Sequence, residues 1–297
     1  INVMDSGGVG ALTIEDTNGS AGRTVSFTDG TITGATTNPI TYEPGITALT
    51  YNGSAFGNTV TVNMPTANDL GVFDLNSGAG VDEVDVQAVN ASLTLNVDTQ
   101  AGTGDVVNIG SAAPDLTTSN LAGIMGTDNV TSTGGSSTLN VSDEAFTTGG
   151  FYTISDTQIT GDTFTGVINY NAGITALNFD GGPGGNTITV TNTKAGTDTT
   201  VNSGLGNDIV DVLATNPTGP LTIHGQDGTD DAVNIGDAGS VANVLGPITI
   251  DNTLGYTDIT LNATADTTDH AMNLTGVPAS APFQAVLTGL TGSTVTY

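Results

Sequence analysis

The sequence predicts an all-β protein folded as a parallel β-solenoid, with little or no helix and coils of about 22–24 residues. Three observations support this. Val, Ile and Thr alternate along the chain while helix-forming residues are scarce or interrupted by Gly, Thr and Asn. About a hundred residues are duplicated, and a shorter period runs inside each copy. Repeats of 20 to 50 residues are typical of solenoids, propellers and arrays.

Composition excludes several functional classes. The chain has 297 residues, 36% of them hydrophobic, with Lys+Arg 2, Asp+Glu 30, no Cys and a formal net charge of -28. So few cations cannot neutralise phosphates, which argues against nucleic acid and against an anionic membrane surface. No apolar run is long enough to span a bilayer, so no membrane insertion is expected. The absence of Cys excludes disulfides and thiolate metal sites.

Internal duplication is the strongest signal. "GITAL" occurs at residues 45–49 and again at 173–177. "SGAGVDEVDV" at Ser77 matches "SGLGNDIVDV" at Ser203, and "DVVNIG" at Asp105 matches "DAVNIG" at Asp231. The sequence therefore predicts a single continuous β-solenoid over residues 1–297. Its long repeats cover approximately 12–110 and 139–236, with a partial third repeat over 248–297.

The shorter period is marked by equivalent apolar positions 22 to 24 residues apart, which are Val60, Val84 and Val107 in one copy and Ile188, Val210 and Val233 in the other. A propeller blade needs about 40 residues, and helical repeats need helix formers. Stacked two-stranded coils fit instead, because each coil buries its alternate apolar side chains only against its neighbours. The outer faces then carry ladders of Thr, Ser and Asn, and we expect Asn2, Asn108 and Asn234 to be equivalents in such ladders.

The turns carry the candidate metal residues. "GGPGGNTITV" at Gly181 and "SGLGNDIVDV" at Ser203 resemble the Gly- and Asp-rich nonapeptide of calcium-binding β-rolls. That resemblance implies a column of calcium sites at Asp82 and Asp105, and another at Asp208 and Asp231. The alternative is structural: Gly supplies positive φ, while Asp and Asn bond their own backbone turns. Both interpretations remain open at this stage.

Candidate catalytic residues are few. The chain has two histidines, His224 and His270, and its two cationic side chains, Arg23 and Lys194, lie outside the duplicated turns. Trp is absent, so no sugar-stacking platform is evident. We predict that the protein is not an enzyme, has no catalytic residue and requires no cofactor apart from possible calcium.

Carbohydrate decoration is a further expectation, because Asn-x-Ser/Thr sequons occur at Asn18, Asn52, Asn90, Asn129, Asn262 and Asn273. Abundant Thr would equally permit O-linked sugar.

Both ends of the chain resemble repeat interiors. "INVMDSGGV" at the start resembles "VNIGDAGSV" at Val233, and "GSTVTY" at the end resembles "NPITY". We therefore expect open coils without caps, belonging either to a longer repeat protein or to a chain that stacks on identical copies.

The whole pattern resembles the extended β-solenoid regions of large bacterial surface proteins, namely haemagglutinin-like adhesins and fibre-forming extracellular proteins. That resemblance implies an extracellular or cell-surface protein with a load-bearing or adhesive role. The prediction is a structural subunit of a fibre, a head-to-tail homopolymer. The alternatives are the stalk of an adhesin and a polysaccharide-active β-helix.

Overall fold

The computed structural model describes residues 1–5, 8–42, 45–226, 228, 230–252, 255–267, 273–276, 285–288 and 293–297. The regular elements of the described residues are all β-strands, apart from one 3₁₀ turn at Leu116–Thr118. Most strand pairs are parallel, so the prediction of a parallel β-solenoid with little helix is confirmed. The chain divides into two compact units, Ile1–Ser142 with Phe164–Thr175, and Asp143–Thr163 with Ala176–Tyr297.

The first unit contains two sheets. One has the spatial order β1 (Asn2–Val3), β5 (Ile40–Tyr42), β4 (Thr31–Thr33), β3 (Thr24–Thr28), β7 (Thr59–Met64), β9 (Glu83–Val89), β11 (Thr103–Ile109) and β13 (Ser136–Ser142). The other has the order β2 (Gly10–Glu15), β6 (Ile46–Asn52), β8 (Val72–Asn76), β10 (Thr94–Asp98), β12 (Thr127–Thr131) and β16 (Val167–Tyr170).

The second unit also contains two sheets. One runs β17 (Ile174–Asp180), β19 (Asp198–Asn202), β21 (Leu221–His224), β23 (Ile248–Asp251), β27 (Val295–Thr296), β26 (Ala285–Thr288) and β25 (Asn273–Gly276). The other runs β15 (Gln158–Gly161), β14 (Phe151–Ile154), β18 (Thr187–Val190), β20 (Ile209–Val212), β22 (Asp231–Ile235) and β24 (Thr257–Leu261). The extent of one continuous solenoid over residues 1–297 stays a prediction.

Strand registers give the coil length directly. Val60 lies beside Val84, 24 positions later, and Val84 lies beside Val107, 23 positions later. Val210 lies beside Val233 with the same spacing of 23. The predicted period is therefore that of the regular coils. Other coils are longer, because loops and extra strands are inserted between their two parallel strands.

Antiparallel excursions account for part of this extra length, and the sequence prediction did not include them. In the first unit β3, β4 and β5 form an antiparallel meander in which β5 pairs with β1 and β3 pairs with β7. In the second unit β25, β26 and β27 form a meander of the same order, with β27 on β23. Each unit thus contains regular parallel coils together with a three-stranded antiparallel meander that lies within one of its sheets.

The core follows the alternation of the sequence. Val60, Val84 and Val107 are each 0% exposed, as inward-facing positions of stacked coils should be. Aromatic side chains also pack in the core, and the ring centroid of Phe27 lies 5.4 Å from that of Tyr51. Tyr51 and Phe179 occupy equivalent places in the two copies, and both are fully buried, so each forms part of the core.

Candidate functional site

The first turn column lies in the first unit, where Asn58, Asp82 and Asp105 stand above one another in successive coils. The backbone N–H of Asn58 donates to Asp82 Oδ1 at 2.6 Å, and the N–H of Asp82 donates to Asp105 Oδ1 at 2.9 Å. The N–H of Arg23 donates to Asn58 Oδ1 in the same way. Each side chain therefore accepts a hydrogen bond from the equivalent backbone position one coil earlier.

The second turn column repeats this geometry in the second unit. The N–H of Gly150 donates to Asn186 Oδ1 at 3.0 Å, that of Asn186 to Asp208 Oδ1 at 2.6 Å, and that of Asp208 to Asp231 Oδ1 at 2.9 Å. The structure thus brings the four predicted residues together as two pairs, Asp82 with Asp105 and Asp208 with Asp231. Each pair lies in its own unit.

Glycine is required beside these columns for two reasons. Gly78 has φ of +118°, and a Cβ there would lie 1.9 Å from the carbonyl oxygen of Ser54. Gly204 has φ of +105°, and its Cβ would lie 2.1 Å from the carbonyl oxygen of Gly182. Positive φ and close backbone contact between coils both exclude larger residues. This is the role for Gly that the structural interpretation predicted.

Burial dominates the electrostatics of the four carboxylates. It raises the pKa of Asp82, Asp105 and Asp231, and it raises the pKa of Asp208 to about 6, while hydrogen bonds from backbone N–H groups partly offset the shift. Low water access disfavours the charged form, and two stacked carboxylates repel each other. Hydrogen bonds from the backbone N–H groups offset part of this desolvation and repulsion.

Calcium binding at these residues stays a prediction. Calcium takes six to eight oxygen ligands, and no group of three or more His, Cys, Asp or Glu that could hold a metal occurs in the described ranges. Both oxygens of Asp82 accept hydrogen bonds, from Asn58 N–H and from Ser77 Oγ. Oδ2 of Asp105 and Oδ2 of Asp208 are buried without a hydrogen-bond partner. What the columns do in this geometry is hold adjacent coils in register.

Amide ladders on the outer sheet faces are a second ordered polar system. In each ladder an Asn Nδ2 donates to the side-chain oxygen one coil earlier, and the first residue is a carboxylate, which only accepts. The ladders are Glu15–Asn52–Asn76, Asp74–Asn96–Asn129–Asn169, Asp85–Asn108–Asn140, Asp180–Asn202 and Asp211–Asn234.

These ladders correct one expectation. Asn108 contacts Asp85 and Asn140 as its neighbouring rungs, and Asn234 contacts Asp211. Asn108 and Asn234 are therefore equivalents of the long repeat, each in its own ladder. Asn2 is in register with Thr41 on β5 as Asn129 is with Asn169 on β16, so the equivalent of Asn2 is Asn129. The 22–24-residue spacing of the sequence contained the signal for rungs that are one regular coil apart, such as Asp85 with Asn108 and Asp211 with Asn234.

Asp128 is a functional candidate that the sequence reasoning missed. It points into the core of the first unit, in register with Leu95 on β10 and Ile168 on β16. It is 0% exposed, and neither carboxylate oxygen has a hydrogen-bond partner. Burial raises its pKa to about 8, so the side chain is mostly neutral at pH 7.

The internal repeat shows that the position of Asp128 is ordinarily apolar. Backbone N–H of Met125 donates to Val89 O, and that of Leu245 donates to Thr215 O, in the same local geometry. Asp128 lies three residues after Met125, and Ile248 lies three residues after Leu245. Ile248 is therefore the equivalent of Asp128, and it is 1% exposed. Aligning the copies of this strand, rather than scanning for acidic motifs, is the signal that could have found Asp128.

The basic and histidine side chains do not converge on one site. His224 Nδ1 lies 2.8 Å from Asp251 Oδ1, Arg23 Nε pairs with Asp16, and Lys194 Nζ donates to a backbone carbonyl. His270 lies outside the described residues. That the protein is not an enzyme stays a prediction.

A half-open depression of about 370 Å³ lies in the first unit beside the β3–β5 meander. Its lining includes Asp29 and Asp69. Asp29 Oδ2 accepts the N–H of Thr66, and Asp69 Oδ2 accepts the N–H of Gly45. These carboxylates fasten the surrounding loops.

The six sequons divide by accessibility. Asn52 and Asn129 commit their Nδ2 to ladders, and Asn90 is 1% exposed with its Nδ2 donating to Met64 O. Asn18 and Asn262 are exposed, as is Asn273. A sugar needs a free amide nitrogen, so only the second group is open to decoration in the folded protein.

Comparison of the chain with known protein families and with curated proteins finds no match. No helix in the described part of the chain is long and apolar enough to cross a bilayer.

Proposed function

We propose that the protein is a non-catalytic structural subunit of an extracellular fibre, in which copies join end to end through open coils of the solenoid. The observation that carries this proposal is the partial exposure of inward-facing side chains on the outermost strands. Leu12 and Ile14 on β2 point inward but stay half-exposed, and so do Ile259 and Leu261 on β24. Inward residues of internal strands, such as Val84, are 0% exposed.

Unpaired backbone supports the same proposal. Among the described strands β2 pairs only with β6, and β24 pairs only with β22. A free edge of alternating apolar and polar residues is a template for another strand. Head-to-tail contact between two different surfaces of one chain is heterologous, so it continues as a filament unless rotation closes it into a ring.

The extracellular location rests on composition. A chain with 30 acidic and two basic residues and no Cys stays soluble through charge repulsion and has no thiol to oxidise outside the cell. Amide ladders and turn columns favour a load-bearing role, because both link each coil to the next along the axis. No feature of the described residues requires catalysis.

Concentration-dependent assembly tests the proposal. Sedimentation velocity should show species that grow with protein concentration, and negative-stain electron microscopy should show threads with a repeat of one subunit length. Leu12→Asp places a charge on the open face and should stop growth, whereas Thr13→Asp on the exposed side of β2 is the matched control. A protein that sediments as a monomer at every concentration tested would rule the fibre out and favour a stalk.

A further inference from the structure

The depression of about 370 Å³ in the first unit is acidic, and its lining contains no Lys, Arg or His. Asp29 and Asp69 both line it. The chain has only two Lys and Arg side chains, and both lie elsewhere: Arg23 pairs with Asp16, and Lys194 belongs to the second unit. No basic side chain therefore neutralises these two carboxylates.

Backbone hydrogen bonds occupy only one oxygen of each carboxylate among the described residues. Asp29 Oδ2 accepts the N–H of Thr66 at 3.1 Å, and Asp69 Oδ2 accepts the N–H of Gly45 at 2.8 Å. Asp29 Oδ1 is buried without a hydrogen-bond partner, which is unfavourable unless a nearby positive charge compensates it. Asp69 is exposed, so its second oxygen can accept a donor from a ligand.

The remaining lining suits an aliphatic chain with one charged end. Tyr42 and Ile46 contribute an apolar wall, and they are only 7% and 3% exposed, so the core holds them in place. The Tyr42 hydroxyl donates to the carbonyl oxygen of Thr28 at 3.1 Å, which fixes the side chain further. A calcium ion would need six to eight oxygen ligands, and an apolar wall supplies none.

The second unit has an equivalent of this turn. The registers of β3 on β7 and of β14 on β18 match, and the two hairpins turn over the same number of residues. Asp29 in the β3–β4 turn therefore corresponds to Asp156 in the β14–β15 turn. Thr66 and Lys194 also correspond, because each lies the same number of residues after the start of β7 or β18.

The equivalent turn of the second unit has an ammonium group beside it. Lys194 Nζ lies 3.5 Å from the backbone carbonyl oxygen of Asp156 and donates to it. In the first unit the short, uncharged side chain of Thr66 takes the place of the lysine, and the depression lies there. The second unit thus supplies its own ammonium where the first unit has open space beside an uncompensated carboxylate.

We propose that the depression of the first unit binds a primary ammonium group carried by an aliphatic chain. The ammonium donates to Asp69 and compensates the charge of Asp29, while the chain lies against Tyr42 and Ile46. The ligand is a small alkylamine or a lysine side chain, which share this chemistry. The inference does not depend on assembly of the protein into a fibre.

Isothermal titration calorimetry of the full chain with n-pentylamine tests the inference. Phosphate buffer at pH 7 and low salt is used, because Tris is itself a primary amine and salt screens the attraction. We expect saturable binding at one site, with a dissociation constant on the order of 1 mM. n-Pentanol has the same chain without the charge and should not bind. Nα-acetyl-lysine amide separates the two sources, because tighter binding than n-pentylamine indicates a lysine side chain and weaker binding indicates a free amine.

Matched variants separate the site from the overall charge of the protein. Thr66→Lys places an ammonium in the first unit as Lys194 does in the second, and it should abolish binding. Thr133→Lys adds the same charge at another exposed threonine of the first unit and should leave the affinity unchanged. Asp69→Asn should weaken binding about tenfold or more, because the ammonium loses its charged acceptor. Asp258→Asn removes the same charge at an exposed position of the second unit and should have no effect.

Thr66 and Asp69 are both exposed, so their variants should keep the fold, which unchanged circular dichroism spectra verify. Equal affinities of the Thr66→Lys and Thr133→Lys proteins would show that only net charge matters and would overturn the inference. Absence of saturable heat, equal binding of n-pentanol, or binding of calcium chloride without binding of the amine would overturn it as well.

Discussion

Replacing Asp128 by Asn should change how stability depends on pH more than any other single substitution in the first unit. Asp128 is fully buried, unpartnered and held mostly neutral by a pKa of about 8, against an ordinary value of 3.8. In the unfolded chain the same carboxyl is ionised above about pH 4. The folded state therefore holds one more proton between these two values, and stability falls as pH rises through that window.

The magnitude follows from the size of the window. Each pH unit within it costs about 1.4 kcal/mol, so this one carboxyl removes about 4 kcal/mol of stability between pH 4 and pH 7. Above about pH 8 the folded carboxyl also ionises and the loss levels off. The amide side chain introduced by Asp128→Asn does not titrate, so the variant lacks this slope. That amide is still unpartnered in the core, which adds a cost that is the same at every pH.

Urea unfolding followed by circular dichroism at pH 4.5, 6.0 and 7.5 measures the effect. The free energy of unfolding of the Asp128→Asn variant, minus that of the original chain, should rise by about 4 kcal/mol across this range. Other carboxylates are present in both proteins and cancel in the difference. Asp258→Asn on β24 removes the same charge at an exposed position and serves as the control. A difference that stays constant with pH would refute the assignment of a neutral, buried Asp128.

Four other predictions follow from the turn columns, the ladders and the sequons. Asp82→Asn should leave the unfolding free energy nearly unchanged, since Asn58 fills the equivalent position. Asp82→Ala should lower it by about 2–4 kcal/mol, because buried hydrogen-bond donors lose their acceptor. Denaturant midpoints of the two variants measure the difference. Asn129→Leu removes two hydrogen bonds of its ladder and should lower the unfolding free energy by about 1–2 kcal/mol in the same measurement. A loss no larger than that of an exposed Thr→Leu control contradicts the stabilising role of the ladder. In a glycosylating host, peptide mass spectrometry should find sugar at Asn18 and Asn262 and none at Asn90, whose occupancy would contradict its burial. Calcium at Asp82, Asp105, Asp208 and Asp231 predicts a melting midpoint that falls with chelator and recovers with added calcium, and an unchanged midpoint contradicts it.

Much of the fold could be predicted from the sequence because simple geometry sets its two periods, the two-residue alternation of a strand and the 22–24-residue repeat of a coil. The alternation around Val60, Val84 and Val107 fixes which face is buried, and their spacing fixes the coil. The meanders were harder, because a short antiparallel pair and a parallel coil share the same two-residue alternation. Asp29–Gly30, a turn pair typical of hairpins between the apolar runs of β3 and β4, was the local signal for the first meander.

The polar architecture was predicted only in outline. Sequence spacing placed Asp82 near Asp105, but it could not show that each Oδ1 accepts a neighbour's backbone N–H rather than a metal, since both uses need the same residue at the same turn. Asp128 was missed because one acidic residue in an alternating run resembles an outward-facing one. Its inward direction follows from the register with Leu95, and in the sequence it shows only when the copies of the strand are aligned with each other.

The carboxylate that starts each amide ladder has a consequence for how such a repetitive chain finds its correct arrangement. Val, Ile and Leu are nearly interchangeable between coils, so the apolar interior alone discriminates poorly against threading a segment one turn out of place. A misplaced segment would set the carboxylate of Asp74 or Asp85 against an amide oxygen, and two acceptors cannot bond. Such a slip is penalised electrostatically along the ladders, so their order of carboxylates and amides favours the correct pairing of coils.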